Sequence, residues 1–171
     1  LTVLITGCGP SVEGNGNVIK KEYDVDQFKN IKINGGFEVL LRQGKRNEVA
    51  IRTDENLFEY IEVFVDDETL IIEPIQRISR AEDRTIFITT KHITKNLSID
   101  GSGAVEIDAD IDARLLNIDI SGASEIDLKG NCNRLSIDVS GAGELNAFEL
   151  NTIEASINIS GAGSAQVNVR D

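Results

Sequence analysis

Serines recur at a fixed spacing in the second half of the chain, and they are the first residues whose arrangement could support chemistry. The triplet Ser-Gly-Ala occurs at 102–104, 121–123, 140–142 and 160–162. A serine hydroxyl is a weak nucleophile unless a neighbouring base accepts its proton. No histidine or lysine recurs beside the triplets, so a column of catalytic serines is not favoured.

The triplet has a mechanical explanation instead. Glycine permits a backbone angle that is closed to other residues, alanine fits a corner too tight for a larger side chain, and serine can hydrogen-bond the turn. This interpretation predicts that Ala123 and Ala142 face the inside of the fold, while Ser98 and Ser136 point outward. Leucine at the two alanine positions should then overpack the interior.

The N-terminal segment is a short apolar run that ends at a cysteine. Its sequence is Leu1-Thr-Val-Leu-Ile-Thr-Gly-Cys8, and Ile5-Thr-Gly-Cys8 resembles the lipobox of bacterial lipoproteins. We therefore expect Cys8 to carry lipid and to anchor the chain to a membrane. Residues 9–17, rich in Gly, Ser and Asn, would then form a flexible tether. The alternative is an ordinary buried strand with a core cysteine at position 8.

The other reactive residue types are isolated in the sequence. Cys132 lies in a predicted turn, without a histidine or clustered cations to lower the pKa of its thiol. His92 is the single histidine, and no cysteine or second histidine lies nearby to complete a transition-metal site. The calcium-binding turns of some β-solenoids are also missing. We therefore predict no catalytic residue, no metal site and no cofactor.

Carboxylates alternate with apolar residues in the second half of the chain. In Asp108-Ala-Asp-Ile-Asp112 the three acids share one outward face, which predicts solvation. Asp100, Asp119, Asp138 and Asn158 each stand two residues before the serine of a triplet. Stacked strands lie about 4.8 Å apart, so these side chains would form a column of mutually repelling charges. Asp119→Asn is therefore expected to stabilise the domain at low salt.

The charge balance limits the classes of partner. The net charge is −12, which argues against nucleic acid and anionic membrane surfaces because both require clustered Lys and Arg. Residues 96–171 hold 13 Asp and Glu against 4 Lys and Arg, so they carry −9 of that charge. A mildly basic stretch, interrupted by two acids, contains Arg77, Arg80, Arg84, Lys91 and Lys95. We interpret it as a solvated loop and strand, with contact to an acidic glycan or a neighbouring chain as the alternative.

Composition and repetition together predict an all-β fold. Hydrophobic residues make up 40% of the chain and aromatic residues only 5%, and the abundance of Val and Ile favours strands with thin aliphatic interiors. Alternating segments precede the four triplets at Leu97–Gly101, Leu116–Ile120, Leu135–Val139 and Ala155–Ile159. The triplets are 19, 19 and 20 residues apart. A unit this small cannot bury its own apolar face, so the repeats must stack as coils of a β-solenoid.

The half of the chain before residue 96 reads as a less regular version of the same pattern. Ile33–Val39 echoes Ile99–Ile107 with a shorter bend. Hairpin-like pairs are predicted for Val39–Leu41 with Val49–Thr53 and for Val63–Val65 with Leu70–Ile72. One short helix is predicted after Asp54, which is suited to cap its first turn. No apolar run is long enough to cross a membrane as a helix.

Several segments, in the right order, resemble the head GIN domain family of auto-transporter adhesins, which is common in exported proteins of Bacteroidota. They are Phe28-Lys-Asn-Ile-Lys-Ile-Asn-Gly-Gly-Phe-Glu-Val39, Leu40-Leu-Arg-Gln-Gly44, Thr53-Asp-Glu-Asn-Leu57 and the four Ser-Gly-Ala triplets. The resemblance spans residues 23–171. It implies a right-handed β-helix-like fold, extracytoplasmic placement, often a lipoprotein signal, and no established enzymatic activity or defined ligand site.

The expected organisation is a signal end and flexible tether over residues 1–22, followed by a single domain over residues 23–171 with regular coils in residues 96–171. The expected function is a non-catalytic, adhesion-related binding or scaffold module of the cell envelope, on an outer-membrane lipoprotein facing the periplasm or the cell surface. The partners considered are a glycan, an envelope protein and a second copy of the chain. The alternative function is a carbohydrate-active enzyme, a polysaccharide lyase or hydrolase on a β-helix.

Overall fold

The described part of the chain consists of β-strands and one short helix. The computed structural model describes residues 10–91 and 96–169, without the side chains of residues 100–103 and 108–110. The elements are β1 (Ser11–Glu13), β2 (Val18–Tyr23), β3 (Asn30–Asn34), β4 (Glu38–Gln43), β5 (Glu48–Asp54), a 3₁₀ helix (Glu55–Tyr60), β6 (Ile61–Asp66), β7 (Thr69–Pro74), β8 (Arg77–Arg80), β9 (Arg84–Thr90) and β10 (Asn96–Val169). The predicted all-β class is confirmed. Within these residues no helix is both long and apolar enough to span a membrane.

β10 is a run of strand residues that turns back on itself. A straight strand of its 74 residues would reach roughly 240 Å. Instead, side chains about one repeat apart are hydrogen-bonded through amide donors, in the pairs Asn117 to Asn96, Asn146 to Asp127 and Asn158 to Asp138. Residues about one repeat apart in β10 therefore lie side by side, and we call each repeat of β10 a winding.

The N-terminal half contributes further layers to the same stack. The main sheet has eight strands in the order β2-β5-β9-β4-β10-β3-β7-β6 and is nearly closed around the core. The first winding of β10 pairs in parallel with β3 and β4, and these pair in parallel with β7 and β9. The layers are thus β7 with β9, β3 with β4, and then the windings of β10.

Antiparallel strands close the outer side of the β7 and β9 layer. β6 pairs with β7, β5 pairs with β9, and β2 pairs with β5. The sequence places charged residues on β2 and β6, the two outermost strands. Charged side chains on edge strands hinder pairing with another chain, so this end of the stack is both covered and protected.

The bend between β3 and β4 has the same length as the bend in the first winding of β10. Ile33 is in register with Ile99, and Val39 is in register with Val105. The expectation of a shorter bend is therefore wrong. The two segments do correspond in structure, but Val39 is the counterpart of Val105 and not of Ile107.

One of the two predicted hairpins is confirmed. β6 and β7 form an antiparallel pair joined by Asp67 and Glu68, which both have positive φ, 43° and 56°, as tight two-residue hairpin turns require. The other hairpin is wrong because β9 lies between β4 and β5. The polar turn after β4 therefore carries the chain across a strand that comes later in the sequence.

The short helix is present, but Asp54 does not cap it. Asp54 precedes the helix, and its side chain makes no capping hydrogen bond. Its buried carboxylate instead accepts backbone hydrogen bonds from Gly16 at 2.6 Å and Glu82 at 2.9 Å. Asp54 thus ties the N-terminal segment and the segment before β9 to the end of β5.

The expectation of a flexible tether is wrong for residues 10–17, the part of it that the structure describes. β1 pairs in parallel with β8. The backbone N–H of Asn15 donates to Asn56 at 2.9 Å, and the side-chain amide of Asn17 donates to Glu55 at 2.8 Å. These polar residues have regular partners on the domain, which is why a composition typical of linkers is ordered here.

The core is a column of aliphatic side chains that extends through all layers, and its register corrects the expectation for the triplets. Ile118 and Ile120 are buried, Ala123 is exposed, and Ser124 and Ile126 are buried. The period-2 alternation therefore continues without a shift through the triplet, so the inward position falls on Gly and not on Ala. Ala142 is exposed for the same reason.

We expect Ala123→Leu to change the free energy of unfolding by less than about 0.5 kcal/mol, because its side chain faces solvent. Ser124→Leu should instead cost about 1–3 kcal/mol by overpacking, since Ser124 is only 8% exposed and faces Gly143 of the next winding. Urea unfolding of both variants checks this. Equal costs at the two positions would contradict the observed register.

Candidate binding site on the outer face of the sheet

The residue types most capable of chemistry do not form a site in the described part of the chain. Cys8 and His92 lie outside the described residues. Cys132 belongs to the core and not to an exposed turn: it is 2% exposed, and its thiol donates to the carbonyl of Arg134 at 3.0 Å. Burial raises the pKa of this thiol, which disfavours the reactive thiolate. Among the side chains that the structure describes, no three His, Cys, Asp or Glu residues are placed to hold a metal ion.

The glycines of the triplets have a structural role. Gly122, Gly141 and Gly161 have φ values of 132°, 140° and 138°, in a region that other residues rarely adopt. A β carbon at Gly141 would overlap the carbonyl group of Gly122, and one at Gly161 would overlap that of Gly141. The triplet therefore marks where the backbones of successive windings come closest.

Outward side chains of β10 line up in columns along the stack. Asp119, Asp138 and Asn158 occupy one column as predicted, and the Asn158 amide donates to Asp138 at 3.1 Å. The side chains of Asp100, Asp108 and Asp110 are not described, while Asp112 is exposed as expected. Charge repulsion in this column is lower at its outer end, because Asn158 carries an amide in place of a carboxylate.

A second acidic column was not singled out from the sequence. Glu106, Glu125 and Glu144 each follow the serine of a triplet by four residues, and that fixed spacing is the signal that could have revealed them. These glutamates and the alanines of the triplets line a trough of about 560 Å³. The outer face of β10 is therefore strongly acidic, with a floor of small residues.

Asp119→Asn should stabilise the domain by a few tenths of a kcal/mol at low salt, because it removes the charge next to Asp138 in the exposed column. The gain should shrink as salt is added. Thermal or urea unfolding at two salt concentrations measures it, with Asp66→Asn on β6 as the control. A destabilised Asp119→Asn variant would mean that this carboxylate is favourably paired.

A larger concave surface lies on the outer face of β2, β5, β9 and β4. Its volume is about 760 Å³, which is in the range of ligand-binding clefts. Phe87 of β9 lies between Ala50 of β5 and Leu40 of β4 in the strand register. These three residues form an apolar floor, and we call the whole concave surface the Phe87 cleft. The polar residues around the floor are Lys20, Glu22, Asp24, Arg42, Arg46, Asn47, Glu48 and Thr89.

Cations concentrate around Phe87 although the chain as a whole is acidic. The Lys20 ammonium lies 4.5 Å from the centre of the Phe87 ring, and the Arg52 guanidinium lies 5.4 Å from it. Arg52 is paired with Asp83 at 2.7 Å, and Arg42 is paired with Glu106 at 3.6 Å. In the described ranges no carboxylate lies within ion-pair distance of Lys20, so its charge is available to a ligand.

Tyr23 borders the Phe87 cleft, but its ring packs against the core, in register with buried Val49. Its phenolic oxygen is buried and has no hydrogen-bond partner within the described residues. Burial also raises the pKa of this phenol. Buried polar atoms normally have a partner, and an enclosed water molecule would supply one here.

The basic stretch of the sequence does not contribute to this cleft. Arg77 and Arg80 lie on β8, which pairs with β1, and Arg84 begins β9. Lys95 lies outside the described residues, and Lys91 follows the end of β9. The cations of the cleft instead come from β2, β4 and the turn before β5, which are separate in the sequence, so no local motif could have identified them.

The fold and these surfaces define an all-β domain with a concave outer face. The family described as "Putative auto-transporter adhesin, head GIN domain" matches residues 27–171. The chain belongs to this family, as its resemblance indicated. A search of curated proteins found no match.

Solved structures share the fold at low sequence identity. A putative adhesin from Bacteroides fragilis has a TM-score of 0.75 at 20% identity, covering 94% of this chain and 84% of that one. A putative adhesin from Parabacteroides merdae has a TM-score of 0.61 at 19% identity, covering 93% and 84%. A putative lipid binding protein from Parabacteroides distasonis has a TM-score of 0.56 at 22% identity, covering 95% and 86%. At such identities the likeness establishes the fold alone.

Proposed function

We propose that this domain is a non-catalytic, adhesion-related binding module of the cell envelope, and that the Phe87 cleft binds glycans bearing carboxylate groups. The observation that carries the proposal is an aromatic floor beside the Lys20 ammonium, which has no ion-pair partner among the described residues. Membership of an adhesin family supports a binding role. The cleft supplies the place where such binding would occur.

The chemistry of the cleft favours an acidic sugar over a neutral one. Phe87 and Leu40 offer apolar contact to the C–H face of a sugar ring, and Asn47, Glu48 and Thr89 offer hydrogen bonds to hydroxyl groups. Lys20 would pair with a carboxylate of the ligand. The acidic trough on β10 would repel the same ligand, which directs it toward the cleft.

Titration calorimetry of the full chain with oligogalacturonate tests the proposal, with a neutral glucose oligosaccharide of the same length as the comparison. We expect binding of the acidic oligosaccharide that weakens with salt. Phe87→Ala and Lys20→Gln should each raise Kd by about tenfold or more, as the loss of a central contact does.

Matched controls are available on the same sheet. Phe64→Ala removes a partly exposed aromatic ring from β6, and Lys45→Gln removes an exposed cation outside the cleft lining. Neither should change Kd. Circular dichroism confirms that all variants are folded. Absence of oligogalacturonate binding, or equal losses in the control variants, would overturn the assignment of the cleft.

We further propose that Cys8 carries lipid and holds the domain at the outer membrane, facing the periplasm or the cell surface. The support is the segment Ile5-Thr-Gly-Cys8. Residues 11–17 are held on the domain by β1 and Asp54. Any flexible linker between the lipid and the domain would therefore lie before Ser11. The lipid would therefore hold the domain close to the bilayer.

Expression of the chain with its native signal, followed by membrane fractionation, tests the anchor. Cys8→Ser should move the domain from the membrane fraction to the soluble fraction, whereas Cys132→Ser should not. Mass spectrometry of the N-terminal peptide should show a diacylglyceryl group on Cys8. An unmodified thiol would contradict the proposal.

We also propose that the windings of β10 form a right-handed β-helix-like solenoid. The support is the parallel register of its first winding with β3 and β4 and the contacts between residues one repeat apart. Cysteines introduced at Ser121 and Ser140, one winding apart, should then cross-link readily. A crystal structure with left-handed windings would contradict the handedness.

A further inference from the structure

We propose that the surface formed by Ile75, Arg77 and Arg80, which we call the β8 face, lies against the phospholipid head groups of the membrane. The inference rests on the lipid proposed at Cys8 and adds which side of the domain that lipid turns toward the bilayer. β1 and β8 pair in parallel, with Ser11 opposite Arg77. The end of β1 that is closer to Cys8 along the chain is therefore also the end at which β8 begins.

The covalent chain limits how far a lipid on Cys8 can lie from the β8 face. Cys8 stands two residues before Pro10, and an extended chain spans at most about 7 Å over that length. The carbonyl of Pro10 in turn accepts a hydrogen bond from the side-chain amide of Gln76 at 3.1 Å. Gln76 stands between Ile75 and Arg77, so the lipid would enter the bilayer close to these two residues.

Hydrogen bonds hold the β8 face in a fixed position on the domain. The Ser79 hydroxyl donates to the carbonyl of Val12 at 3.1 Å, which ties β8 to β1. The backbone N–H of Ile75 donates to the carbonyl of Tyr60 at 3.0 Å, which ties the start of the face to the end of the 3₁₀ helix. The side of the domain nearest the anchor is therefore set by the fold.

Ile75 gives the β8 face an apolar group that suits a bilayer surface. Its side chain is 58% exposed. A single exposed aliphatic residue is common on protein surfaces, but one that lies close to a lipid anchor can enter the boundary between head groups and acyl chains. Removing its surface from water is favourable in proportion to the area, as it is for the apolar residues of interfacial segments.

The charge of the β8 face is complementary to lipid phosphates. Residues 75–80 contain Arg77 and Arg80 and no acid, in a chain of net charge −12. Both arginines are exposed, and a guanidinium group can bind phosphate oxygens through two N–H groups. Glu13 lies opposite Arg80, and Glu82 lies 3.9 Å from its guanidinium, so the positive charge is greatest at Arg77, nearer the anchor. The same phosphates would repel the acidic outer face of β10, which favours this orientation.

Tryptophan fluorescence tests the orientation, because the chain contains no tryptophan of its own. The variant Ile75→Trp, lipidated and incorporated into vesicles of phosphatidylethanolamine and phosphatidylglycerol, carries a single reporter in the β8 face. We expect its emission to shift to the blue on vesicles and to be quenched by lipids with brominated acyl chains. Phe148→Trp is the matched control, because Phe148 is 65% exposed on a winding of β10 roughly 19 Å along the stack from the β7 and β9 layer. Its emission should show neither effect.

Charge reversal tests the contact with phosphates. In the Ile75→Trp chain, the further change Arg77→Glu/Arg80→Glu should abolish most of the quenching by brominated lipid, and adding salt to the unreversed chain should weaken it. The change Lys29→Glu/Lys45→Glu alters the same amount of charge at exposed positions outside the β8 face and should leave the quenching as it was. Circular dichroism shows whether each variant is folded.

Membrane fractionation separates a failure of the lipid anchor from a failure of the orientation. If Cys8→Ser leaves the protein at the membrane, the anchor is wrong and the orientation is wrong with it. If the lipid is present but the tryptophan of Ile75→Trp is quenched no more than that of Phe148→Trp, the orientation alone is wrong. A blue shift without quenching would mean that Ile75 contacts protein and not lipid, which also overturns the proposal.

Discussion

Gly141→Ala is expected to destabilise the domain by about 3–5 kcal/mol. Two effects add at this position. The φ of 140° is strained for any residue with a β carbon, at about 1–3 kcal/mol. That β carbon would also overlap the carbonyl group of Gly122, so the two windings must separate, with an overpacking cost of similar size. Urea unfolding followed by circular dichroism measures the total.

Gly16→Ala separates the two effects. Gly16 also has positive φ, 80°, but nothing lies within 4 Å of the position of its β carbon. The control should therefore cost only the backbone term, about 1–2 kcal/mol. If Gly141→Ala costs no more than Gly16→Ala, the close approach of the windings does not restrict which residue can stand at position 141, and the glycine of the triplet is not required for steric reasons.

Asp54→Ala is the second change with a large expected effect, about 3–6 kcal/mol. It removes a fully buried carboxylate and leaves the N–H groups of Gly16 and Glu82 without their acceptor, and hydrogen bonds to charged groups contribute about 1.5–3 kcal/mol each. Hydrogen exchange should show lost protection in residues 11–17, because β1 and β2 are joined through the segment that Asp54 holds.

Asp66→Ala is the control for Asp54→Ala, since Asp66 is an exposed acid at the end of β6. It should change stability by less than about 0.5 kcal/mol. Asp54→Asn keeps one side-chain oxygen and should fall between the two. Unchanged exchange in residues 11–17 of the Asp54→Ala variant would show that β1 pairing alone fixes the N-terminal segment.

The repetition in the sequence made the β10 half of the fold predictable. Leu116, Ile118 and Leu135 are buried where the alternation placed them, because a period of two leaves only one choice of inward face. The repeat length also identified which residues meet across windings, as the contact of Asn158 with Asp138 illustrates. A periodic sequence specifies long-range neighbours that an irregular one does not.

Two errors have physical causes. Ala123 was expected inside because a small side chain was taken to fit a tight corner. Gly122 instead bends the chain without inserting a residue, so Ala123 keeps an outward position. β4 and β5 were expected to pair because a polar turn joins them. The residues of a turn contain no information about strands far away in the sequence. They therefore could not predict that β9, more than thirty residues later, pairs with both β4 and β5 and lies between them.

The candidate site was harder to predict from the sequence than the fold was. Phe87 is one of 6 phenylalanines, and nothing local distinguishes it from Phe64. Lys20 reaches it only because β2 pairs with β5 and β5 with β9. The acidic column of Glu106, Glu125 and Glu144 was visible in principle, because its members keep the repeat spacing.

The order in which the chain forms its layers has a consequence for how the domain is assembled. β3 and β4 come first, and residues 61–90 then add the adjacent layer and complete its antiparallel cover before β10 begins. A chain that folds from its N-terminus can thus form the covered end of the stack before β10 has folded. Each later winding closes a loop of only about 20 residues, at a modest entropic cost, onto an edge that already exists. The covered end thus provides a strand edge with which the first repeat of β10 can pair, and each later repeat pairs with the one before it. Parallel pairing is usually slow because it joins residues distant in sequence, and here each step joins residues only one repeat apart.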